Sequence, residues 1–231
     1  MRKVAWDRGP VRLGTRTLGS STILPGWEGV PIAATLEDRL GINVLADNDA
    51  NLGALAELSF GAAQGEQFVA YIRAYSGIGA GLIVSGRLHR GAHGTAGEIG
   101  HITIQENGPL CSCGNHGCLE AMAGGNAIAR RAREAVRLGR RTQLSTIDVE
   151  RITARDVASA ARMGDLVAQQ IVTEAGFHLG VAVASLVNLF NPSMVVVGGG
   201  ISQMGDLLLE PIRKAVRERS LRSAAQAVRI N

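Results

Sequence analysis

The chain has 231 residues, of which 46% are hydrophobic and only 3% aromatic, and its formal net charge is +4. A chain of this length can bury about 70% of its unfolded surface, so it can form one large domain or two small ones. The sequence contains neither an apolar run of about 20 residues nor a signal peptide, which argues against a membrane or secreted protein and predicts a cytoplasmic location. The arginine clusters within residues 130–141 and 213–222 are typical of solvated helix faces.

The amino-terminal region carries few local signals. Residues 1–20 show no sustained hydrophobic period and predict no regular element. Residues 24–27, Leu-Pro-Gly-Trp, predict a turn, because proline fixes φ and the glycine after it permits a positive φ. Residues 30–40 predict an amphipathic helix that ends at Gly41.

Three polar residues follow the next predicted strand, which covers residues 42–46. They are Asp47, Asn48 and Asp49, and a helical pattern over residues 50–58 comes directly after them. Polar residues at a strand-to-helix junction lie at the carboxyl edge of a sheet, where α/β folds bind ligands. The residues alone favour the simpler interpretation, in which one of them caps the helix.

A glycine-rich segment separates two further predicted strands, over residues 68–74 and 82–85. This segment, residues 76–81, exposes backbone N–H groups that can hold a phosphate, although an ordinary turn has the same composition. Residues 87–97 predict a loop. Its two histidines have no partner at metal-ligand spacing, so we interpret them as surface residues.

All three cysteines of the chain fall within eight residues, at Cys111, Cys113 and Cys118. A structural zinc ion takes four tetrahedral nitrogen or sulfur ligands, and this spacing can supply three thiolates from one tight turn. The candidates for the fourth ligand are His101 and His116. We favour His101, because the apolar residues 102–104 predict a strand that returns the chain to the cysteines. The odd cysteine count and the absence of a signal peptide argue against a disulfide framework.

The remaining sequence is mainly helical. Helices are predicted over residues 127–138, 154–163, 166–190 and 207–220. Gly176 and Gly180 interrupt the longest of these helices, and their small size permits close packing of a neighbouring helix. The apolar residues 194–197 are typical of a buried parallel strand, and residue 228 starts another predicted strand.

The segment from Glu98 to Glu120 resembles the signature of a known family. Glu-x-Gly-His, followed by Cys-x-Cys-Gly-x-x-Gly-Cys-Leu-Glu, is similar to the signature of the ROK family of sugar kinases and sugar-responsive transcriptional regulators. The resemblance implies an α/β fold of the actin-like ATPase (ribonuclease H-like) type with two domains. We expect a truncated small domain over residues 1–49 and a large domain over residues 50–231.

The resemblance also implies roles for particular residues. The expected zinc ligands are His101, Cys111, Cys113 and Cys118. The expected sugar contacts are Asn48, Asp49, Glu98, His101 and Glu120, with Asp49 as the general base that accepts the proton of a sugar hydroxyl. The expected nucleotide-binding residues are Ser76, Gly77, Gly79, Gly198, Gly199 and Gly200.

The leading interpretation is an ATP-dependent hexose kinase similar to a glucokinase, with a structural Zn²⁺, with Mg²⁺ on the nucleotide, and forming a homodimer. The alternatives are a sugar-sensing transcriptional repressor, whose DNA contact would need an upstream winged-helix domain, and a zinc-stabilised sugar-binding protein without catalysis.

Two departures from the kinase pattern bear on the choice. Tyr75 stands where the kinases have glycine, and the sequence lacks their Asp-x-Gly-Gly-Thr loop. We therefore expect a chain that binds sugar but is catalytically incomplete.

Overall fold

A computed structural model describes residues 3–7, 11–12, 17–19 and 26–231. Within these ranges the chain forms strands and α-helices in runs of one to four elements of the same kind. In order they are β1 (Lys3–Asp7), β2 (Val11–Arg12), β3 (Thr17–Leu18), α1 (Ile32–Leu40), β4 (Val44–Asn48), α2 (Asp49–Phe60), β5 (Val69–Ala74), β6 (Ile78–Val84), β7 (Arg87–His89), α3 (Leu119–Ala123), α4 (Gly125–Arg137), α5 (Ala154–Arg162), α6 (Leu166–Phe190), β8 (Met194–Gly198), α7 (Asp206–Arg219), α8 (Arg222–Ala227) and β9 (Arg229–Ile230).

The centre of the molecule is a five-stranded sheet with the order β7-β6-β5-β8-β9. Strand β6 runs antiparallel to both β5 and β7, whereas β5, β8 and β9 run parallel to one another. The first four residues of β8 are all buried, as the uninterrupted apolar segment predicts. Because β5 and β8 run parallel, their carboxyl ends lie side by side at one edge of the sheet.

Helix α6 is the core helix of the described residues, and twelve of its residues are buried. Its glycines allow α7 to approach closely, as predicted. A Cβ atom added to Gly176 would lie 2.7 Å from the carbonyl oxygen of Leu208, and one added to Gly180 would lie 2.6 Å from the Cβ atom of Ala215. Within the described part of the chain, α6 alone has the length and hydropathy of a membrane span. Its buried positions are those of a core helix.

Asp165 caps the amino terminus of α6 and ties it to the preceding loop. Its Oδ1 atom accepts a hydrogen bond from the N–H of Ala168 at 2.9 Å. Its Oδ2 atom accepts from the hydroxyl of Thr142 at 2.8 Å and from the N–H of Gln143 at 2.6 Å. Burial raises the pKa of Asp165, but these hydrogen bonds outweigh it, so the pKa lies below its ordinary value.

Two short sheets precede the central sheet in the chain. Strand β1 pairs in parallel with β4, and β2 pairs antiparallel with β3. The sequence pattern predicted no regular element over residues 1–20, and this prediction was wrong. Strand β1 obtains its hydrogen-bond partners from a distant part of the chain, which a local pattern does not report. Of the predicted turn at residues 24–27, the first two residues lie outside the described residues.

Three other predictions are also corrected. Strand β6 begins at Ile78 rather than at residue 82, because pairing with β5 offsets the low strand preference of its glycines. The predicted loop over residues 87–97 contains the edge strand β7. Residues 102–104 form no strand, but Thr103 makes an isolated bridge with Cys118, so this segment still brings the chain back to the cysteines.

Candidate functional site

The junction between β4 and α2 is the first part of the site. Asn48 is the N-cap of α2, and its Oδ1 atom accepts from the N–H of Ala50 at 2.9 Å. Asn48 therefore has the capping role that its position allows. Asp49 is the first residue of the helix, and its Oδ2 atom lies 2.9 Å from Nε of Arg73 on β5.

Asp47 anchors this junction. Its side chain is buried, and its Oδ1 atom accepts from the N–H of Asn48 and from Nδ2 of Asn51, each at 2.8 Å. Its Oδ2 atom accepts from Arg90, at 3.0 Å from Nε and 2.6 Å from Nη2. These contacts fix the direction in which the next two side chains project from the junction.

Two glycines hold Glu98 against strand β6. Gly97 has a φ of +95°, and a Cβ atom added to it would lie 1.9 Å from the carbonyl oxygen of Ala80. A Cβ atom added to Gly100 would lie 2.1 Å from the carbonyl oxygen of Ile78. The N–H of Ala80 also donates to the carbonyl of Gly97 at 2.7 Å. Only glycine permits this approach, so the Gly-Glu-Ile-Gly sequence positions the carboxylate between its two glycines.

The electrostatics of Glu98 show which groups surround it. The side chain is exposed, yet desolvation by neighbouring protein atoms is the largest cause that raises its pKa. The charge of His101 lowers the pKa, while the carboxylates of Glu120 and Asp49 raise it further. Four predicted sugar contacts are thus close enough to interact electrostatically.

Glu120 joins the same cluster from helix α3. It lies in the first turn of this helix, which Cys118 precedes as the N-cap. Its Oε2 atom accepts a hydrogen bond from the N–H of Ile78 at 2.9 Å. A Cβ atom added to Gly77 would lie 2.4 Å from this oxygen, so glycine at this position makes room for the carboxylate.

The four predicted zinc ligands lie together. Their ligand atoms, from His101, Cys111, Cys113 and Cys118, are all within 4.8 Å of one another. Nδ1 of His101 is 3.7 Å from Sγ of Cys111, and Sγ of Cys113 is 3.7 Å from Sγ of Cys118. With metal–sulfur bonds of about 2.3 Å, two sulfur ligands of a tetrahedral zinc ion lie about 3.8 Å apart. The spacing of these atoms therefore fits zinc.

The thiols themselves indicate why a cation suits this cluster. Burial, followed by hydrogen bonds with the other two cysteines, raises the pKa of Cys118 to about 12. A divalent cation offsets this cost, because it binds the thiolate form. His116 is not part of the cluster, because its Nδ1 atom lies 3.1 Å from the carbonyl oxygen of Gly108.

The predicted nucleotide-binding residues are divided among three environments. A cavity of about 740 Å³ is lined by Ser76 and Gly200, together with Tyr75 and residues of α4 and α5. Gly198 and Gly199 instead pack on the sheet. A Cβ atom added to Gly198 would lie 2.4 Å from the Tyr71 hydroxyl, and one added to Gly199 would lie 2.3 Å from the carbonyl oxygen of Ala74. Gly77 and Gly79 are absent from the cavity lining and face Glu120 and Ala50.

Sequence reasoning missed two arginines of the site. Arg73 pairs with Asp49, and Arg90 pairs with Asp47. The signal for Arg73 is present in the sequence, because this arginine stands between the apolar residues Ile72 and Ala74 of a buried strand. A charged residue in that position needs a partner. Nothing comparable marks Arg90, which lies in a loop.

The geometry combines a cluster of carboxylates and one imidazole with a group of three thiols that could hold a metal ion, on an α/β fold. The ROK family profile matches residues 9–230, and the chain belongs to the ROK family. The glucokinase of Halalkalibacterium halodurans is 42% identical over 193 residues, which are 82% of this chain and 58% of that protein. The chain thus spans little more than half the length of this curated relative.

Two solved structures are similar to the chain. A ROK family transcriptional regulator, described as a homolog of the Escherichia coli MLC protein, has a TM-score of 0.89 and 32% identity, covering 98% of this chain and 57% of that one. A ROK family glucokinase from Streptomyces griseus, in complex with glucose and AMPPNP, has a TM-score of 0.84 and 37% identity. The match covers 91% of this chain and 69% of that one. The expected actin-like ATPase fold is thereby confirmed. The family includes both kinases and regulators.

Proposed function

We propose that this chain binds a hexose through Asn48, Asp49, Glu98, His101 and Glu120. The observation that carries the proposal is the meeting of these groups on β6, where Glu120 accepts from the N–H of Ile78 at 2.9 Å and Gly100, near Glu98, packs on the carbonyl of Ile78. The charges of Asp49, Glu120 and His101 all act on the pKa of Glu98. Sugar hydroxyls donate hydrogen bonds, and each ionised carboxylate offers about four acceptor positions. The hydrogen bond that Glu120 accepts from the N–H of Ile78 does not exhaust that capacity.

The metal centre supports the same site. Zinc bound by His101, Cys111, Cys113 and Cys118 would stabilise the turn that leads into α3, and so would hold Glu120 in place. Nδ1 of His101 faces the thiols. With Nδ1 engaged by the metal, the other ring nitrogen carries the proton and can donate to a sugar oxygen.

The first candidate activity is ATP-dependent phosphorylation of the hexose, as the names of the glucokinase relatives suggest. Asp49 would be the general base, since it is the carboxylate at the junction of β4 and α2. It would take the proton of the attacking hydroxyl, and the remaining carboxylates would orient the ring.

The second candidate is sugar-responsive transcriptional regulation, and one contact favours it. Asp49 forms an ion pair with Arg73 at 2.9 Å. The guanidinium group occupies one oxygen of the Asp49 carboxylate and so competes with a substrate hydroxyl for that oxygen. Sugar binding needs no proton transfer, so this pairing suits recognition better than catalysis.

Calorimetric titration with two hexoses, glucose and mannose, tests the hexose site. We expect a dissociation constant between micromolar and millimolar, which corresponds to about 4 to 8 kcal/mol. Glu120→Ala should weaken binding at least about tenfold, because a hydrogen-bond partner of the sugar is lost. Glu174→Ala is the control, since this carboxylate on α6 pairs with Arg131 on α4 and is not a predicted sugar contact. Equal affinity of Glu120→Ala and the parent protein for both sugars would refute the site.

A coupled assay for ATP consumption separates the two candidate activities. If the protein is a kinase, it turns over with the hexose, and Asp49→Asn loses most of kcat while it retains sugar affinity. Hexose binding without ATP consumption is expected of a regulator and equally of the catalytically incomplete chain that the sequence predicts, so only turnover discriminates between the two activities. Undiminished turnover of Asp49→Asn would remove Asp49 from the mechanism.

A further inference from the structure

The side chain of Tyr75 lies where the cavity meets the turn between β5 and β6. It lines the cavity of about 740 Å³ and is 44% exposed. The ring also lies on the backbone of Gly200, because a Cβ atom added to this glycine would be 2.9 Å from Cε2 of Tyr75. The aromatic ring therefore fills the space beside the glycine loop.

The position of Tyr75 is fixed from several directions. Its N–H donates to the carbonyl of Gly77 at 2.9 Å, and its own carbonyl accepts from the N–H of Gly125 at 2.7 Å. The guanidinium carbon of Arg73 lies 5.3 Å from the centroid of the ring, within the range of a cation–π contact. Because these contacts hold both the backbone and the ring of Tyr75, its side chain forms a fixed wall of the cavity.

Arg73 connects this wall to the proposed hexose site. The same guanidinium group that contacts the ring pairs with Asp49 at 2.9 Å through Nε. A continuous series of contacts thus runs from Gly200 through Tyr75 and Arg73 to Asp49. The two side chains stand at the boundary between the cavity and the carboxylates.

We propose that Arg73 and Tyr75 are specificity-determining residues that separate the hexose site from the cavity and prevent a nucleoside triphosphate from reaching the hexose. The inference rests on the proposed hexose site and on its regulatory candidate, because a barrier to the nucleotide excludes phosphorylation of the bound hexose. Phosphate groups bind glycine-rich loops through close contact with exposed backbone N–H groups, and the ring of Tyr75 covers the loop at Gly200. Phosphoryl transfer further requires reacting atoms about 3 to 3.5 Å apart. The ring of Tyr75 therefore occupies the space beside Gly200 that a phosphate bound to this loop would need.

An arginine near a phosphate can instead assist transfer by neutralising charge. Arg73 is placed differently, because its guanidinium group is already shared between a carboxylate and an aromatic face. We therefore assign it to the barrier. If Arg73 served a nucleotide, removal of the ring beside it would not improve nucleotide binding.

The test is a gain of nucleotide binding in Tyr75→Ala, measured by calorimetry with AMPPNP and Mg²⁺. We expect an affinity at least about tenfold higher than that of the parent protein. Tyr75→Phe keeps the ring and should behave like the parent. Phe177→Ala is the matched control, because this ring is 40% exposed and lies 5.2 Å from the guanidinium carbon of Arg219, away from the cavity lining.

Three results would overturn the inference. The parent protein and Tyr75→Ala could bind AMPPNP equally well, Tyr75→Phe could gain as much affinity as Tyr75→Ala, or Phe177→Ala could gain it too. Circular dichroism and thermal unfolding identify a variant that has lost its fold, and Tyr75→Leu then replaces Tyr75→Ala. Failure of the parent protein to bind any hexose would refute the proposed function instead, and the AMPPNP comparison would still report on the barrier.

Discussion

Replacing Gly97 with alanine tests whether close backbone packing positions Glu98. Gly97 has a φ of +95°, and a Cβ atom there would lie 1.9 Å from the carbonyl oxygen of Ala80. Gly65 provides the control, since its φ is +80° but no atom lies within 4 Å of an added Cβ. Both substitutions introduce a side chain at positive φ, and only the one at Gly97 also creates a clash.

The structure separates the two contributions to the free energy of unfolding. A side chain at positive φ costs about 1 to 2 kcal/mol, and we expect Gly65→Ala to lose this amount. Overpacking against fixed backbone adds about 1 to 3 kcal/mol, so Gly97→Ala should lose about 2 to 5 kcal/mol in total. The difference between the two variants measures how tightly the Glu98 segment packs on β6.

Urea unfolding, followed by circular dichroism, gives both values. The midpoint should fall further for Gly97→Ala than for Gly65→Ala, at an unchanged dependence on urea concentration. Calorimetry should show weaker glucose binding for Gly97→Ala alone, because its carboxylate neighbour is displaced. Equal destabilisation of the two variants, with equal glucose affinity, would refute the argument that this contact positions Glu98.

Two further predictions concern the metal centre and the helix cap. The purified protein should contain one equivalent of zinc, and Cys113→Ser should lose the metal and unfold more easily, because metal affinity contributes to folding free energy; metal-free parent protein with freely reactive thiols would contradict this. The pKa of Asp165 is lowered in the folded protein, so its stabilisation is present above the ordinary carboxyl pKa and is lost as pH falls through the folded value. Asp165→Asn should therefore show a smaller loss of stability between about pH 5 and pH 2 than the parent protein, and equal pH profiles in urea unfolding would contradict it.

The elements that the sequence predicts well carry their signal locally. Helix α6 has the predicted bounds, because its apolar residues follow the helical period between a capping aspartate and Asn191, which has the left-handed conformation at the helix end. Strand β8 was equally clear, since an apolar run before three glycines has few other interpretations. The cysteine spacing likewise indicated which side chains would meet, because three of the four lie within eight residues.

The missed features depend on contacts between distant parts of the chain. Strand β1 is defined by its pairing with β4, and its own residues do not predict a strand. The ion pair of Arg73 with Asp49 joins β5 to the start of α2, so neither residue alone reveals it. The role of Tyr75 was visible only as a departure from the kinase pattern, and the packing of its ring on Gly200 required the fold.

Gly176 and Gly180, at the contact between α6 and α7, have a consequence for sequence variation in this protein. Helix α7 follows directly from the short 3₁₀ helix Gly200–Met204, three of whose residues form one side of the cavity. A larger residue at Gly176 or Gly180 must push α7 outward, since backbone or Cβ atoms lie within 3 Å of the added carbon. That displacement would be transmitted to the cavity through the start of α7. Natural variants at these two glycines should therefore co-vary with residues of the cavity wall, although neither glycine touches a ligand there.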